Sequence, residues 1–167
     1  MRLAARTRVD LSPADLYAVA ADLRNLPAWW IEHLSAEICT PAARLRDAVY
    51  EVRYRLWAGY AITGTCTVVA ARAGRSLTYT WEGGGMRLAV GQAFEPEGDG
   101  CATRLEVDLD VSRAFEPIRW IVLGLMRRRL SSELDRALVT LGELAAARTV
   151  MRRAAPRRLA TPALSEA

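Results

Sequence analysis

The chain contains a single histidine, His33, close in sequence to Glu32 and Glu37. An imidazole with a carboxylate nearby is a candidate general base, because its pKa ordinarily lies near neutral pH. A lone histidine at the end of a short helix is more often a surface or capping residue, so His33 is a weak catalytic candidate. One histidine also argues against a histidine-based metal centre, and neither a metal ion nor a cofactor is predicted.

A set of tyrosine, tryptophan and glutamine residues lies in stretches where apolar residues repeat at every second position. This period is typical of strands, whose alternate side chains share one face. The set would then converge on one face of a curved sheet. Because tyrosine and tryptophan bury well yet carry a donor that needs a partner, two interpretations stay open: a packed core, and an apolar pocket with a few oriented polar groups. The residues are Tyr50, Tyr54, Tyr79, Trp81 and Gln92.

The other motifs argue against several classes of site. The three cysteines, Cys39, Cys66 and Cys101, are odd in number and lack CxxC spacing, so neither a disulfide framework nor a zinc site is expected. The glycines at 83–85 lie between two strand patterns and precede no helix, which predicts a turn and not a phosphate-binding loop. No apolar segment follows the arginines near the N-terminus, so no standard signal peptide is expected and the cytoplasm is the predicted location.

The net charge of +4 is not spread over the chain. Residues 1–147 contain 18 arginines and 18 acidic residues, so the whole excess lies in residues 148–167. A neutral body lacks the broad basic face of nucleic-acid-binding proteins, and no nucleic-acid partner is predicted. Residues 1–147 are assigned to one domain, and the basic residues 148–167 are predicted to form a disordered tail.

Periodicity also predicts the elements that hold these residues. Residues 3–10 indicate a first strand, and Ser12 with Pro13 indicates a helix that ends near Ala21. A second short helix is predicted around Pro27. Six strands then run from residue 34 to residue 111, and their short connections favour an antiparallel sheet with one dry face. Turns are predicted at Thr40 with Pro41, Ala58 with Gly59, Ala73 with Gly74, and residues 96–100.

Residues 117–147 predict a long helix with two different halves. Its first ten residues carry one charge. They are too few to span a bilayer and too apolar for a solvated face, so something is expected to cover them. A bend or a change of contact surface is expected at residues 127–129. The second half leaves Glu133, Asp135, Arg136 and Glu143 for water, and its buried stripe consists of Leu130, Leu134, Ala137, Leu138, Leu141 and Leu144.

Together these elements predict an α+β fold, in which a seven-stranded curved antiparallel sheet wraps around the C-terminal helix in the order β-α-α-β6-α. Residues 9–17, 23–30 and 125–138 are similar to the strand-to-helix opening, the second short helix and the C-terminal helix of one superfamily. In these stretches the chain resembles the START-like or helix-grip (SRPBCC) superfamily, in its polyketide cyclase/dehydrase and lipid-transport branch. The resemblance covers about residues 2–147 and includes no catalytic signature.

The resemblance implies a cavity that holds a hydrophobic ligand between the last helix and the inner face of the sheet. Bacterial members of this branch include polyketide aromatase/cyclases and quinone- and lipid-binding proteins. The residues expected to line the cavity are Trp30 near its entrance, the sheet residues Tyr50, Val52, Tyr54, Ile62, Cys66, Tyr79, Trp81, Leu88, Val90 and Gln92, and the helix residues Ile121 and Leu125.

Three functions remain under consideration. The leading hypothesis is a module that carries or sequesters a hydrophobic small molecule, such as a lipid, a quinone or a polyketide-like compound, oriented by tyrosine and glutamine. The alternative is a polyketide cyclase/dehydratase-like enzyme that positions its substrate and moves protons with tyrosine, glutamine or His33. The third is a module that docks on a membrane surface or a partner through residues 117–129. Monomer and homodimer both stay open.

Overall fold

The computed structural model of the chain describes residues 1–40, 45–56, 60–111 and 113–154. Within these ranges it contains seven strands and three α-helices in the predicted order. The strands are β1 (Arg2–Val9), β2 (His33–Thr40), β3 (Val49–Arg55), β4 (Ala61–Arg72), β5 (Ser76–Gly83), β6 (Met86–Glu97) and β7 (Gly100–Val111). The helices are α1 (Pro13–Ala20), α2 (Leu26–Trp29) and α3 (Arg119–Ala154), with 3₁₀ turns at Leu23–Asn25 and Arg113–Ile118.

The strands form one sheet in the order β1-β7-β6-β5-β4-β3-β2. Each neighbouring pair is antiparallel. The six strands from β2 to β7 make a meander, and β1 pairs with β7 at the edge opposite β2, with Ala5 facing Leu105. The predicted α+β helix-grip fold, with its seven-stranded antiparallel sheet around a C-terminal helix, is confirmed.

Alternate residues of the sheet face α3 and form one contiguous core with it. The predicted inward positions of β3, β5, β6 and β7 are all buried, because the period of two places them on the same side of the pleat. We call this side, over β3 to β6, the inner face. Its most buried members include Val52, Leu77, Tyr79, Val90 and Phe94.

The predicted turn at residues 83–85 depends on glycine. Gly84 and Gly85 connect β5 to β6 with φ angles of 56° and 74°. A two-residue hairpin turn of type I′ needs positive φ at both positions, and a residue with a Cβ adopts that conformation only with strain. The turn predicted at residues 83–85 is therefore present. The predicted turn at Ala58 with Gly59 lies outside the described residues, as does Pro41.

The start of α1 follows the predicted capping pattern. Pro13 is the first helical residue, and the Ser12 hydroxyl accepts a hydrogen bond from the Asp15 backbone N–H at 3.2 Å. The prediction was wrong for His33, which begins β2 and does not end a helix. Helix α2 ends at Trp29, and Trp30 leaves the helical region with φ −117° and ψ 89°.

Helix α3 differs from its prediction at both ends. Pro117 lies in the preceding 3₁₀ turn, and the helix continues seven residues beyond residue 147 to Ala154. Long-range contacts hold this extension: Arg148 donates to the Asn25 side chain at 2.7 Å, and Arg152 pairs with Asp15. The first part of the predicted disordered tail is thus helical, and residues 155–167 lie outside the described residues.

The two halves of α3 bury different fractions of their apolar side chains. The predicted stripe of the second half is buried against the sheet, except that Leu144 is half-buried. In the first half only Val122 and Met126 are buried, while Ile121 and Leu125 are 41% and 55% exposed. The expectation that this whole run is covered was wrong, since a single sheet contacts one side of a helix. None of the helices in the described ranges is both long and apolar enough to cross a membrane.

Candidate functional site

The structure brings the predicted pocket residues of the sheet together and leaves those of α3 outside. Ile62 is half-buried and packs against the core. Ile121 and Leu125 face away from the sheet because Val122 and Met126 occupy the inward positions of the first helical turns. The buried members of the predicted set are Trp30, Tyr50, Val52, Tyr54, Cys66, Tyr79, Trp81, Leu88, Val90 and Gln92.

Two polar side chains of the inner face lack hydrogen-bond partners among the described residues. They are the Tyr79 hydroxyl and the Gln92 amide, whose oxygen and nitrogen are both unpartnered. Tyr79 lies opposite Val90 on β6, and Gln92 lies two residues further along that strand. Diagonal neighbours of this kind are close enough for one small polar group to reach both. Burial raises the pKa of Tyr79, so its hydroxyl stays protonated and can donate.

Other polar groups of the inner face have partners or are chemically inert. The Trp81 indole N–H donates to the Val52 carbonyl at 3.3 Å, which ties β5 to β3 across β4. Burial raises the pKa of the Cys66 thiol to about 12. A thiol that stays protonated is a poor nucleophile, so Cys66 contributes shape and apolar surface.

A buried carboxylate, Glu133, closes one side of the inner face. It lies on α3 and accepts hydrogen bonds from the Tyr54 hydroxyl at 2.8 Å and from the Trp30 indole N–H at 3.4 Å. Its other oxygen accepts from Arg129 Nε at 2.5 Å. Burial, with the Glu133 charge as a second cause, raises the pKa of Tyr54. Tyr54 therefore acts as a hydrogen-bond donor and not as an ionised base.

Arg129 links three elements around this carboxylate. Besides Glu133, its guanidinium binds the Glu32 carboxylate at 2.6 Å and the Arg55 carbonyl at 3.0 Å. Arg129 is mostly buried, whereas Arg127 and Arg128 are exposed. At residues 127–129 the side chains thus pass from the solvent-facing side of α3, at Arg127 and Arg128, to the side that contacts the rest of the protein, at Arg129.

His33 lies in the same aromatic cluster but does not pair with either predicted acid. Its ring centroid is 4.8 Å from that of Trp30 and 5.2 Å from that of Tyr54. Burial lowers the pKa of His33 to about 4, and its Nδ1 has no partner among the described residues. A neutral imidazole can form hydrogen bonds here but is a weak general base at neutral pH. Glu32, the nearer acid in sequence, binds Arg129 instead.

A groove of about 530 Å³ lies outside the sheet–helix interior, between α2 and α3. Trp29 forms part of its wall, and the buried Nε1 of that residue has no partner among the described residues. Glu133 also lines the groove, so this carboxylate lies between the groove and the inner face. The remaining walls are Pro27, Ala28, Ile31, Glu32, Asp135, Arg136, Ala137, Val139 and Thr140.

Sequence reasoning missed Glu133, which was expected to face water. A signal was present: Glu133 lies three residues after Leu130 and four before Ala137, at a position on the buried side of the helix. An acid at such a position indicates a buried ion pair or hydrogen-bond network. Arg129, four residues earlier, is its partner.

The fold has solved structural neighbours. The protein TTHA0849 of Thermus thermophilus superposes with a TM-score of 0.71 at 18% identity, covering 89% of this chain and 99% of that one. The aromatase/cyclase Zhui from Streptomyces sp. R1128 gives a TM-score of 0.70 at 13% identity, covering 89% of this chain and 95% of that one. The di-domain aromatase/cyclase StfQ of the steffimycin pathway gives 0.73 at 14% identity, covering 89% of this chain and 51% of that one.

These superpositions show a shared START-like fold, and at such low identity the chemistry depends on the residues of each protein. No curated protein matches the sequence. The profile of the family described as polyketide cyclase / dehydrase and lipid transport matches residues 1–146, which span all seven strands and most of α3. The chain belongs to that polyketide cyclase / dehydrase and lipid transport family.

Proposed function

We propose that the chain binds a hydrophobic, ring-containing or lipid-like small molecule between the inner face and α3, as a carrier or sequestering module. The observation that carries this proposal is the pair Tyr79 and Gln92, whose buried polar atoms lack partners among the described residues on an otherwise apolar surface. A hydroxyl donor and an amide with both donor and acceptor suit a carbonyl or hydroxyl oxygen of a ligand.

Energetics supports a ligand at this position. A buried polar group without a hydrogen bond costs about 1–3 kcal/mol, and the inner face contains three such atoms in two neighbouring residues. A ligand oxygen that reaches them removes this cost. Its apolar part contributes by burial, at roughly 25 cal/mol per Å² before the costs of ordering.

The inner face is favoured over the groove between α2 and α3 for the same reason. The groove offers one buried donor without a partner among the described residues, Trp29 Nε1, and two of its three acidic residues, Glu32 and Glu133, already bind Arg129. Its position beside Glu133 makes it a suitable approach to the inner face. We therefore propose that the ligand binds at the inner face and enters through the groove.

The test combines mass spectrometry of compounds that co-purify with the chain and binding of a hydrophobic fluorescent dye. The double variant Tyr79→Phe with Gln92→Met keeps the shape of the inner face and removes the unpartnered atoms. We expect it to lose the oxygen-containing ligand that the unaltered chain retains. The matched control is Thr149→Val, since this buried hydroxyl already donates to the Ala145 carbonyl at 2.9 Å. Equal ligand content in the double variant and the unaltered chain would contradict the assignment.

The hydrogen bond between Tyr54 and Glu133 favours a second candidate function, a polyketide cyclase/dehydratase-type enzyme. When the Tyr54 hydroxyl turns its proton from Glu133 to a substrate carbonyl, it can polarise that carbonyl beside His33, while the apolar walls fold the polyketide chain of the substrate. Incubation with a poly-β-keto thioester, followed by chromatography with mass detection, tests it. We expect a shifted ratio of cyclised products that Tyr54→Phe abolishes. If the product ratio equals that in buffer alone, the enzyme function is excluded and the carrier function is retained.

A further inference from the structure

The first turns of α3 present an apolar and basic surface to solvent. Trp120 is 75% exposed, and Ile121 and Leu125 are exposed beside it. Arg127 and Arg128 follow on the same side and are exposed as well. We call these five residues the α3 face. It is separate from the inner face, because its side chains project away from the sheet.

Helix geometry makes the α3 face continuous. With 3.6 residues per turn, Trp120, Gly124 and Arg127 project within about 60° of one another. From Trp120 to Arg128 the face is about 12 Å long, at a rise of 1.5 Å per residue. A Cβ at Gly124 would have no atom within 4 Å, so nothing described covers the middle of the face. The second row consists of Ile121, Leu125 and Arg128.

The charge of the α3 face is positive, and no described residue neutralises it. Arg119, just before it, is paired with Asp110 at 3.2 Å and Glu116 at 4.0 Å. In contrast, no acidic group of the described residues lies within 4.0 Å of the guanidinium nitrogens of Arg127 or Arg128. Two such arginines beside three exposed apolar side chains are complementary to a partner that is both anionic and apolar.

We infer that the α3 face docks on an anionic lipid surface. Tryptophan favours the boundary between headgroups and acyl chains, and arginines beside it gain from the negative surface potential. Trp120, Ile121 and Leu125 insert into this boundary, while Arg127 and Arg128 contact the phosphates. This inference concerns the outside of α3 and holds whether or not the inner face binds a ligand.

A second copy of the chain fits the α3 face less well. A stable dimer buries about 800 Å² on each partner, far more than one helical arc of about 12 Å by 10 Å offers. Charged residues are depleted at the centre of such interfaces, and a symmetric pair would bring the arginines of two copies together. A lipid surface needs neither a large area nor an acidic partner protein.

The experiment measures co-sedimentation of the full chain with vesicles of phosphatidylcholine alone and of phosphatidylcholine with phosphatidylglycerol. One variant removes the apolar part, Trp120→Ser with Leu125→Ser. Another reverses the charge, Arg127→Glu with Arg128→Glu. Each arginine near an anionic surface contributes roughly fivefold to partitioning, so we expect at least a tenfold loss for the charge variant. The apolar variant should lose binding to a similar degree.

Matched controls make the same chemical changes at other exposed positions of the molecule. Arg72→Glu with Arg75→Glu reverses two exposed arginines at the turn from β4 to β5, which lies against α1. Val150→Ser with Met151→Ser removes two exposed apolar side chains near the end of α3. Both controls should bind anionic vesicles like the unaltered chain, and circular dichroism should show all four variants folded.

Two results would overturn the inference. One is equal sedimentation of the unaltered chain with neutral and anionic vesicles, or none with either. The other is a dimer in sedimentation velocity that the Trp120→Ser, Leu125→Ser variant dissociates, which would assign the α3 face to a second copy. Binding to anionic vesicles that only the α3-face variants lose supports it.

Discussion

Replacing Gln92 by methionine should stabilise the ligand-free protein. The side chain is 4% exposed, and both atoms of its amide lack partners among the described residues. Methionine has nearly the same length and no polar atoms, so it removes the unpaired groups and keeps most of the packing. A core glutamine placed for stability alone would behave in the opposite way.

The size of the effect follows from the two unpaired atoms. Each unpaired atom destabilises the folded state by about 1–3 kcal/mol when buried. Imperfect packing of the methionine side chain offsets up to about 1.5 kcal/mol of the gain from removing them. We expect a net increase of about 2 kcal/mol in the free energy of unfolding. For a domain of this size that corresponds to a rise of about 4–8 °C in Tm.

A pair of tyrosine variants gives the sharpest comparison. Tyr79→Phe removes an unpartnered hydroxyl and should stabilise the chain by about 1 kcal/mol. Tyr54→Phe makes the same change where the hydroxyl donates to Glu133 at 2.8 Å, and should destabilise by about 1–3 kcal/mol. Urea unfolding, followed by tryptophan fluorescence on protein stripped of bound compounds, measures all three variants. Destabilisation by both Gln92→Met and Tyr79→Phe would show that the fold itself requires these groups, and would refute the reasoning.

Three further predictions concern other parts of the structure. Burial lowers the pKa of His33 from 6.5 to about 4, so as the pH falls the unfolded chain takes up the proton before the folded one. The contribution of His33 to the free energy of unfolding should be complete above pH 6.5 and should decrease by roughly 3 kcal/mol as the pH falls towards 4. Urea unfolding at each pH should show a smaller decrease for His33→Phe. Glu133→Ala should cost about 3 kcal/mol in the same assay, whereas the exposed Glu143→Ala should change stability by less than about 0.5 kcal/mol. Gly64→Ala should lower Tm at a cost of about 1–3 kcal/mol, because its Cβ would lie 2.6 Å from the Trp81 ring; Gly91→Ala, with nothing within 4 Å, should be close to neutral.

Much of the fold could be predicted because its strands have two different faces. In β7, for example, Leu105, Val107 and Leu109 alternate with charged residues, and the burial follows that alternation. What escaped prediction depends on contacts distant in sequence. The pairing of β1 with β7 and the extension of α3 to Ala154 both rest on partners about a hundred residues away, which no local pattern reveals.

The candidate site was predictable to the extent that it is part of the sheet. Period two placed Tyr79 and Gln92 on one face, but their lack of partners among the described residues is a property of the three-dimensional neighbourhood. The assignment of Ile121 and Leu125 to the pocket was wrong because apolar character alone does not tell which side of a helix is covered. Glu133 was missed because its charge was given more weight than its position.

The distribution of buried polar groups favours the proposed site without reference to any relative. Near α1 and the end of α3, buried polar side chains have partners: Asn25 donates to the Val19 carbonyl at 3.0 Å, and Thr149 donates to a carbonyl one helical turn away. The unpartnered atoms of the described ranges lie elsewhere, at Tyr79 and Gln92 on the inner face and at His33 and Trp29 beside it.

The same region contains the buried ion pair between Arg129 and Glu133. Well-packed apolar residues often replace such a pair with no loss of stability, or with a gain. The chain therefore gives up stability at the inner face and at the Arg129–Glu133 pair that contacts β3, while the buried polar groups named at the far end of α3 have partners. Stability lost so locally is expected where binding requires it, because a ligand can supply the missing partners. The residues of this chain alone thus indicate the same space between sheet and helix as the proposed function.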